Sequence, residues 1–265
     1  MERTNPSSTT ASPAASSLPD LPEPGGLCAI HQPNLFPRLT TLAKLFAAEY
    51  WIVLDDVQFT RRDYQHRARL GDLDEPNRSQ WLTIPTRLPY GRPTLIRDVL
   101  IDDPHRARRK TAGMLRQHYG ASPYWPALAR VLDEVLDVFD TGRTAAVAAA
   151  STHLLLDLLG WRGQILTSSD LLSRPGRSQR LADLCAVTRA RAYLCGTGGM
   201  AYLDPAPFAA QGIDVLAFKP PTTTDIWSFS QRLSALSALA ALGPQRLGTR
   251  LRRPSSGHVP LVVGA

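Results

Sequence analysis

The chain is short of cysteine, lysine and long apolar runs, and each shortage removes a class of protein. Cys28, Cys185 and Cys195 are the only cysteines in 265 residues. No two are spaced as CxxC, which excludes a zinc knuckle and a thioredoxin-like redox pair, and three thiols are too few for a disulfide scaffold. No stretch reaches the ~20 consecutive apolar residues of a bilayer-spanning helix. The most apolar window, Ala145–Leu159, is broken by Ser151, Thr152, His153 and Asp157 and reads as a core helix. No membrane role is expected. Lys44, Lys110 and Lys219 are the only lysines, so the net charge of +7 is carried by arginine, the better fork for carboxylates and phosphates. No nucleic-acid-binding motif accompanies that charge, so nucleic acid is not an expected partner. A GxSxG elbow, a P-loop and a GxGxxG fingerprint are all missing, which disfavours a serine hydrolase of the usual α/β type and weakens a dinucleotide reading.

What is present suits a folded domain: 43% of the residues are hydrophobic, enough for a core. Met1–Gly26 is rich in Ser, Thr, Pro and Ala and lacks the apolar stretch of a secretory signal; it is expected as a disordered tail on a cytoplasmic protein. Residues 27–243 are expected as a single α/β domain, with a loose tail over 244–265. Leu27–Ile30 reads as a buried strand, Gln32–Pro37 as a proline-locked turn, Leu39–Ala48 as a helix and Tyr50–Leu54 as a second strand. These are the parts of a βαβ unit, and continuous apolar runs are the mark of parallel strands buried on both faces. Further strands are expected at Trp81–Pro85, Ile96–Ile101, Gln164–Ser168, Ala192–Cys195 and, last, Ile213–Phe218. Helices are expected at Ala107–Tyr119, Trp125–Phe139, Thr144–Leu159, Arg180–Ala190 and Ser228–Leu242. The fold class that follows is an open, mostly parallel sheet flanked by helices, Rossmann-like or HUP-like, with a helical segment in the middle of the chain.

Ligands of such sheets bind outside the carboxyl ends of the strands. His31 and the pair Asp55-Asp56 each stand at such an end. His31 offers a base near neutral pH, with Gln32 and Asn34 as amide donors and acceptors beside it; it reads equally as a structural histidine with Asn34 capping the next helix. Adjacent residues of a strand point to opposite faces, so only one of Asp55 and Asp56 can enter a given cleft. That aspartate could hold an ammonium or orient His31; the alternative is an Asx turn. In Arg61–Arg67, Arg62 and Arg67 could clamp a phosphate or form a solvated loop. Gly196-Thr197-Gly198-Gly199 permits close backbone approach to an anion or is a tight turn. Ser169 could cap a helix. Cys28 and Cys185 read as core; Cys195 is better placed, beside the Gly turn, yet it too reads as structural.

The ordered set Ala29-Ile30-His31-Gln32-Pro33-Asn34 with Phe36-Pro37, Leu54–Phe59, Tyr64–Arg67, Trp81–Pro85, Ser168-Ser169 and Tyr193–Gly199 with Tyr202-Leu203-Asp204 resembles the WbqC-like protein family. The chain departs from the family pattern at Tyr64 (usually Trp), Ala68 (usually Asn) and Cys195 (usually Ser), and Lys219–Thr224 lacks a Tyr-x-Gln pattern. The resemblance implies a cytoplasmic enzyme of natural-product or amino-sugar biosynthesis. It would transfer an acyl or aminoacyl group, glycyl among them, from a carrier-protein thioester to an amine. On that expectation His31 is the base and Asp55 or Asp56 holds the acceptor ammonium or orients His31. Gln32, Asn34, Gly196 and Gly198 bind the oxyanion, Arg62 and Arg67 grip the phosphopantetheine phosphate or the acidic carrier, and Gln58, Thr83, Ser169 and Tyr202 complete the substrate contacts. The phosphopantetheine arm would be the donor, with no tightly bound cofactor and no metal, and an activated thioester needs no ATP. Two rivals remain: a nucleotide-using enzyme of the HUP type, in which a histidine after the first strand binds phosphates, and a non-catalytic partner that delivers a carrier protein.

Overall fold

The structure, a computed structural model, describes residues 26–220, 226–252 and 259–260. The expected N-terminal tail lies outside the described residues except for Gly26, as does most of the Lys219–Thr224 stretch. The elements are β1 (Leu27–His31), α1 (Leu39–Phe46), β2 (Tyr50–Val53), β3 (Arg67–Gly71), β4 (Ser79–Thr83), β5 (Thr86–Arg87), β6 (Leu100–Ile101), α2 (Pro104–Tyr119), α3 (Trp125–Asp137), α4 (Thr144–Leu158), β7 (Gln164–Thr167), α5 (Arg177–Val187), β8 (Ala192–Gly196), α6 (Thr197–Met200), α7 (Ala206–Ala209), β9 (Asp214–Phe218), α8 (Ala235–Leu242), α9 (Pro244–Arg252) and β10 (Val259–Pro260).

Five strands form a parallel sheet in the order β9-β8-β1-β2-β7, with β10 antiparallel on the β9 edge. The expected open α/β architecture is therefore present, and α2 to α4 are its central helical segment. From β1 the chain winds outward through β2 and β7, then returns to the other side of β1 for β8 and β9. The crevice between β1 and β8 is thus the topological switch point, where open sheets bind ligands.

Pleat alternation divides the core. Leu27, Ala29, Trp51 and Val53 pack on the face covered by α1 and α4, while Cys28, Ile30, Tyr50 and Ile52 pack on the face covered by α5. This parity fixes where each strand-end side chain looks. Asn34 ties the β1–α1 loop to that scaffold: its carbonyl accepts from Ser151 Oγ at 3.3 Å and Thr152 Oγ1 at 2.9 Å, both on α4.

Four expectations need correction. Arg67–Gly71, which no expected strand covered and whose first residue was read as the end of the polar run Arg61–Arg67, is strand β3, because Ala68 and Leu70 alternate inward with Arg67 and Arg69 outward; it pairs antiparallel with β4, outside the main sheet. Ile96–Ile101 is mostly a 3-10 turn, Ile96–Asp98, with only Leu100 and Ile101 extended. The last large helix starts at Ala235, because Ser234 caps it by accepting from Leu236 N at 3.2 Å. Finally, β9 is followed by β10, and the expected loose tail begins with helix α9. Leu247 of that helix is buried and Arg252 Nη1 donates to Leu159 O at 3.2 Å, which docks it on the end of α4.

Edge strand β7 enters the sheet through Gly163. A Cβ there would lie 2.1 Å from Trp161 Cζ2 and 2.4 Å from Glu49 O, the carbonyl that accepts from Gln164 N at 2.8 Å. Gly163→Ala is expected to lower stability by about 2–3 kcal/mol through overpacking. Urea unfolding should show an earlier midpoint with an unchanged slope, and a wild-type midpoint would refute the packing argument.

Candidate functional site

His31 is the last residue of β1 and, by alternation, shares the face of Leu27 and Ala29, toward α1. There it meets Lys44, a residue that the sequence reading passed over. Lys44 belongs to the last turn of α1, is 5% exposed, and donates to Ile30 O at 3.3 Å, with His31 Nδ1 at 3.5 Å. Thr40 and Thr41 precede it by four and three residues and so share its side of the helix. No carboxylate pairs with Lys44 among the described residues. Burial therefore dominates and lowers its pKa to about 8, with the nearby thiols of Cys195 and Cys28 opposing the shift.

His31 itself is less suited to the base role expected of it. A ring nitrogen that accepts from the lysine cannot also hold the imidazole proton, which then sits on Nε2, 3.2 Å from the side-chain amide of Asn34. Both nitrogens are occupied. Burial, then the charges of Lys44 and Arg38, hold the imidazole well below the ordinary histidine value, so it is neutral at pH 7. It positions Lys44 and forms part of the wall.

These groups line a cavity of about 320 Å³ that collects the carboxyl ends of three strands: Ile30 and His31 of β1, Cys195 and Gly196 of β8, and Phe218 of β9. Arg38, Thr40, Thr41 and Lys44 close it from α1, and Thr197, Gly198 and Gly199 from α6. The cavity is at the switch point, and no Asp or Glu stands among the described residues of its lining. Glycine is required at 199, where a Cβ would lie 2.8 Å from Cys195 Sγ; at Gly198 nothing stands within 4 Å, leaving backbone open to a ligand. Burial raises the Cys195 pKa, opposed by Lys44 and by a hydrogen bond with Tyr193, and its Sγ donates to Gly196 O at 3.4 Å.

The aspartates do not join this site. Asp55 Oδ1 accepts from Ser169 N and Ser168 Oγ, each at 3.2 Å, and Asp55 Oδ2 accepts from Ser169 Oγ at 3.0 Å. Asp56 falls on the opposite pleat, toward α5, and is held by Arg180 and by Ser168. Asp55, Asp56 and Ser169 thus form a closed cluster past β2 and β7, and their expected roles on the amine and on His31 are corrected. Of the other candidates, Gly196 and Gly198 line the cavity and Asn34 adjoins it through His31. Gln32 accepts from Gln65 Nε2 at 2.5 Å. Arg67 lies over the Trp81 ring at 4.6 Å and donates to Asp63 O at 3.1 Å, so it braces its own loop instead of gripping a phosphate. Exposed Arg62 and half-buried Thr83 do not line this cavity, Gln58 belongs to a different groove, and Tyr202 is 70% exposed beneath Arg177.

Fold and cavity together define an open-sheet α/β protein with a cationic switch-point site. Residues 32–248 match the WbqC-like protein family, and the chain belongs to that family. It is also similar to "Uncharacterized protein Rv1507c" of Mycobacterium tuberculosis (strain ATCC 25618 / H37Rv), at 25% identity over 224 residues, covering 82% of this chain and 94% of that one. No solved structure matches it significantly. Among the described residues no helix is long and apolar enough to cross a membrane.

A buried ammonium without a counter-charge destabilises the fold that holds it. Between pH 8 and the ordinary lysine value the unfolded chain keeps the Lys44 proton and the folded chain does not, so this penalty fades as pH rises through that window. Lys44→Met is expected to be the more stable protein at pH 7, by up to about 3 kcal/mol, with the difference shrinking by pH 10. Denaturant titrations at both values check this; a Lys44→Met variant less stable than wild type at pH 7 and unchanged at pH 10 would refute it.

Proposed function

We propose that the protein is an acyl or aminoacyl transferase, with glycyl among its candidate groups, that moves the acyl group from a carrier-protein thioester to an amine in natural-product or amino-sugar biosynthesis. The observation that carries the reading is Lys44: a buried lysine with a pKa of about 8, facing the switch-point cavity and with no carboxylate partner among the described residues.

A general base works best when its pKa lies near the working pH. The neutral fraction of Lys44 takes one proton from the acceptor ammonium. The freed amine attacks the thioester carbon, forming the C–N bond, and its second proton passes to solvent. Lys44, now an ammonium, lies beside the oxyanion. As the C–S bond breaks it returns its proton to the leaving thiolate. The open backbone at Gly198 lets the carbonyl approach the α6 turn, and His31 and Asn34 keep the lysine in place. No enzyme nucleophile is needed, which fits the sequestered thiol of Cys195.

One observation favours the nucleotide-using alternative: the cavity lies along α1 from Arg38 to Lys44 and holds these two cations with no carboxylate among its described lining residues. That arrangement also suits phosphates.

With a carrier-bound aminoacyl thioester and a panel of amines, thiol release is expected to rise with pH and level off above about 8, following loss of the Lys44 proton. Lys44→Met and Lys44→Arg should each lower kcat by about 10²–10⁴-fold, because arginine keeps the charge but cannot give up its proton. Wild-type kcat in Lys44→Arg would eliminate the proton-transfer role. A rise in melting temperature with ATP and Mg²⁺ that Lys44→Met abolishes would select the nucleotide reading instead.

A further inference from the structure

A second groove, distinct from the cavity, has no role in the account above. It encloses about 840 Å³ between the segments Gln58–Arg61 and Thr86–Arg92. Three exposed arginines line it: Arg61, Arg87 and Arg92. None of them forms an ion pair with a carboxylate among the described residues, and Asp102 is the one acidic residue on the wall. We propose that this groove docks the acidic surface of the carrier protein that presents the thioester; the proposal rests on the transferase reading.

The arginines stand on a braced frame. Gln58 Nε2 donates to Arg92 O at 2.8 Å and Phe59 N donates to Thr94 O at 2.9 Å, tying the two walls together. Fully buried Thr94 staples the turn, its Oγ1 donating to Gly91 O at 2.8 Å and accepting from Tyr90 N at 3.1 Å. The turn needs glycine at 91, where φ is +64°. Tyr90, at its tip, is 67% exposed. A rigid turn carrying tyrosine and arginine has the composition of an interface anchor. Charge spread over two walls of an open groove suits an extended acidic face better than one small anion.

The position relative to the cavity fits as well. Val53, the last residue of β2, pairs in register with His31. Gln58 follows Val53 by five residues, so their Cα atoms are separated by at most about 18 Å. A carrier seated in the groove would thus stand beyond the same strand ends as the cavity, within reach of a flexible phosphopantetheine arm. Docking by Arg61, Arg87 and Arg92 replaces the expected grip of Arg62 and Arg67.

The test compares two donors bearing the same aminoacyl group, one on the carrier protein and one on free pantetheine. Arg61→Glu, Arg87→Glu and Arg92→Glu are each expected to raise KM for the carrier-borne donor about tenfold and to flatten its salt dependence, leaving kcat/KM for the pantetheine donor unchanged. An unchanged KM for the carrier-borne donor, or equal losses on both donors, would overturn the docking role. Titration of immobilised holo-carrier reads the groove without turnover: binding weakened by the reversals supports it, while binding unaffected by them, or preference for a single-stranded oligonucleotide over the carrier, overturns it. A wild-type protein that turns over neither donor refutes the transferase reading, and the binding titration still decides the groove.

Discussion

An ammonium buried in protein, with no carboxylate beside it among the described residues, is the constraint from which the rest of the site follows. Lys44 could occupy an apolar helix face at little penalty only if a counter-charge came with it, and among the described residues none did. What it has instead are neutral partners, the Ile30 carbonyl and the His31 imidazole. Neutral acceptors solvate the ammonium without fixing its proton, so the amine form is within reach near neutral pH. A carboxylate in place of His31 would have locked the proton on. The imidazole at the end of β1 therefore serves the lysine, and the cavity around them is the space into which that exchangeable proton points.

The two polar clusters at the carboxyl edge of the sheet have opposite fates for a simple geometric reason. Residues 27, 29 and 31 share one pleat direction, and so do 51 and 53 on the neighbouring strand, in contact with α1. Asp56 lies on the other parity and meets Arg180 of α5, while Asp55 turns toward Ser168 and Ser169 at the end of β7. Both carboxylate oxygens of Asp55 and Oδ1 of Asp56 are engaged by the protein, and the cluster fastens β2 to β7 and α5. Proximity along the sheet edge thus gives one open cationic site and one closed anionic one.

Much of this was legible in the chain. Short apolar runs ending in polar residues marked β1, β2, β7, β8 and β9, and the His31 and Gly196–Gly199 motifs did fall on one cavity because both follow strands that meet at the switch point. Asp55 and Asp56 misled because a sequence shows that a carboxylate ends a strand but not that two serines more than a hundred residues later will satisfy it. Lys44 was hidden inside the Leu39, Leu42, Leu45 and Phe46 stripe, where a lone lysine is ordinarily solvated. The signal was available in the Thr40, Thr41 and Lys44 spacing, a small polar patch on an otherwise apolar helix, in a chain with only three lysines. Strand β3 was missed because its outward arginines dominate the composition, although Arg-Ala-Arg-Leu alternates with period two. Helix α9 was missed because the bond that ties it to the end of α4, from Arg252 to Leu159 O, is made far away in sequence.

The scarcity of lysine makes the central claim directly measurable. Protein grown with lysine labelled with ¹³C at Cε gives a spectrum simple enough to follow through a pH titration, and the resonance missing from Lys44→Arg identifies Lys44. A midpoint near pH 8 for that resonance is the result that a buried, unpaired and exchangeable ammonium requires. A midpoint at the ordinary lysine value of about 10.4 would show that Lys44 holds its proton at working pH, and the proposed proton transfer would fail with it.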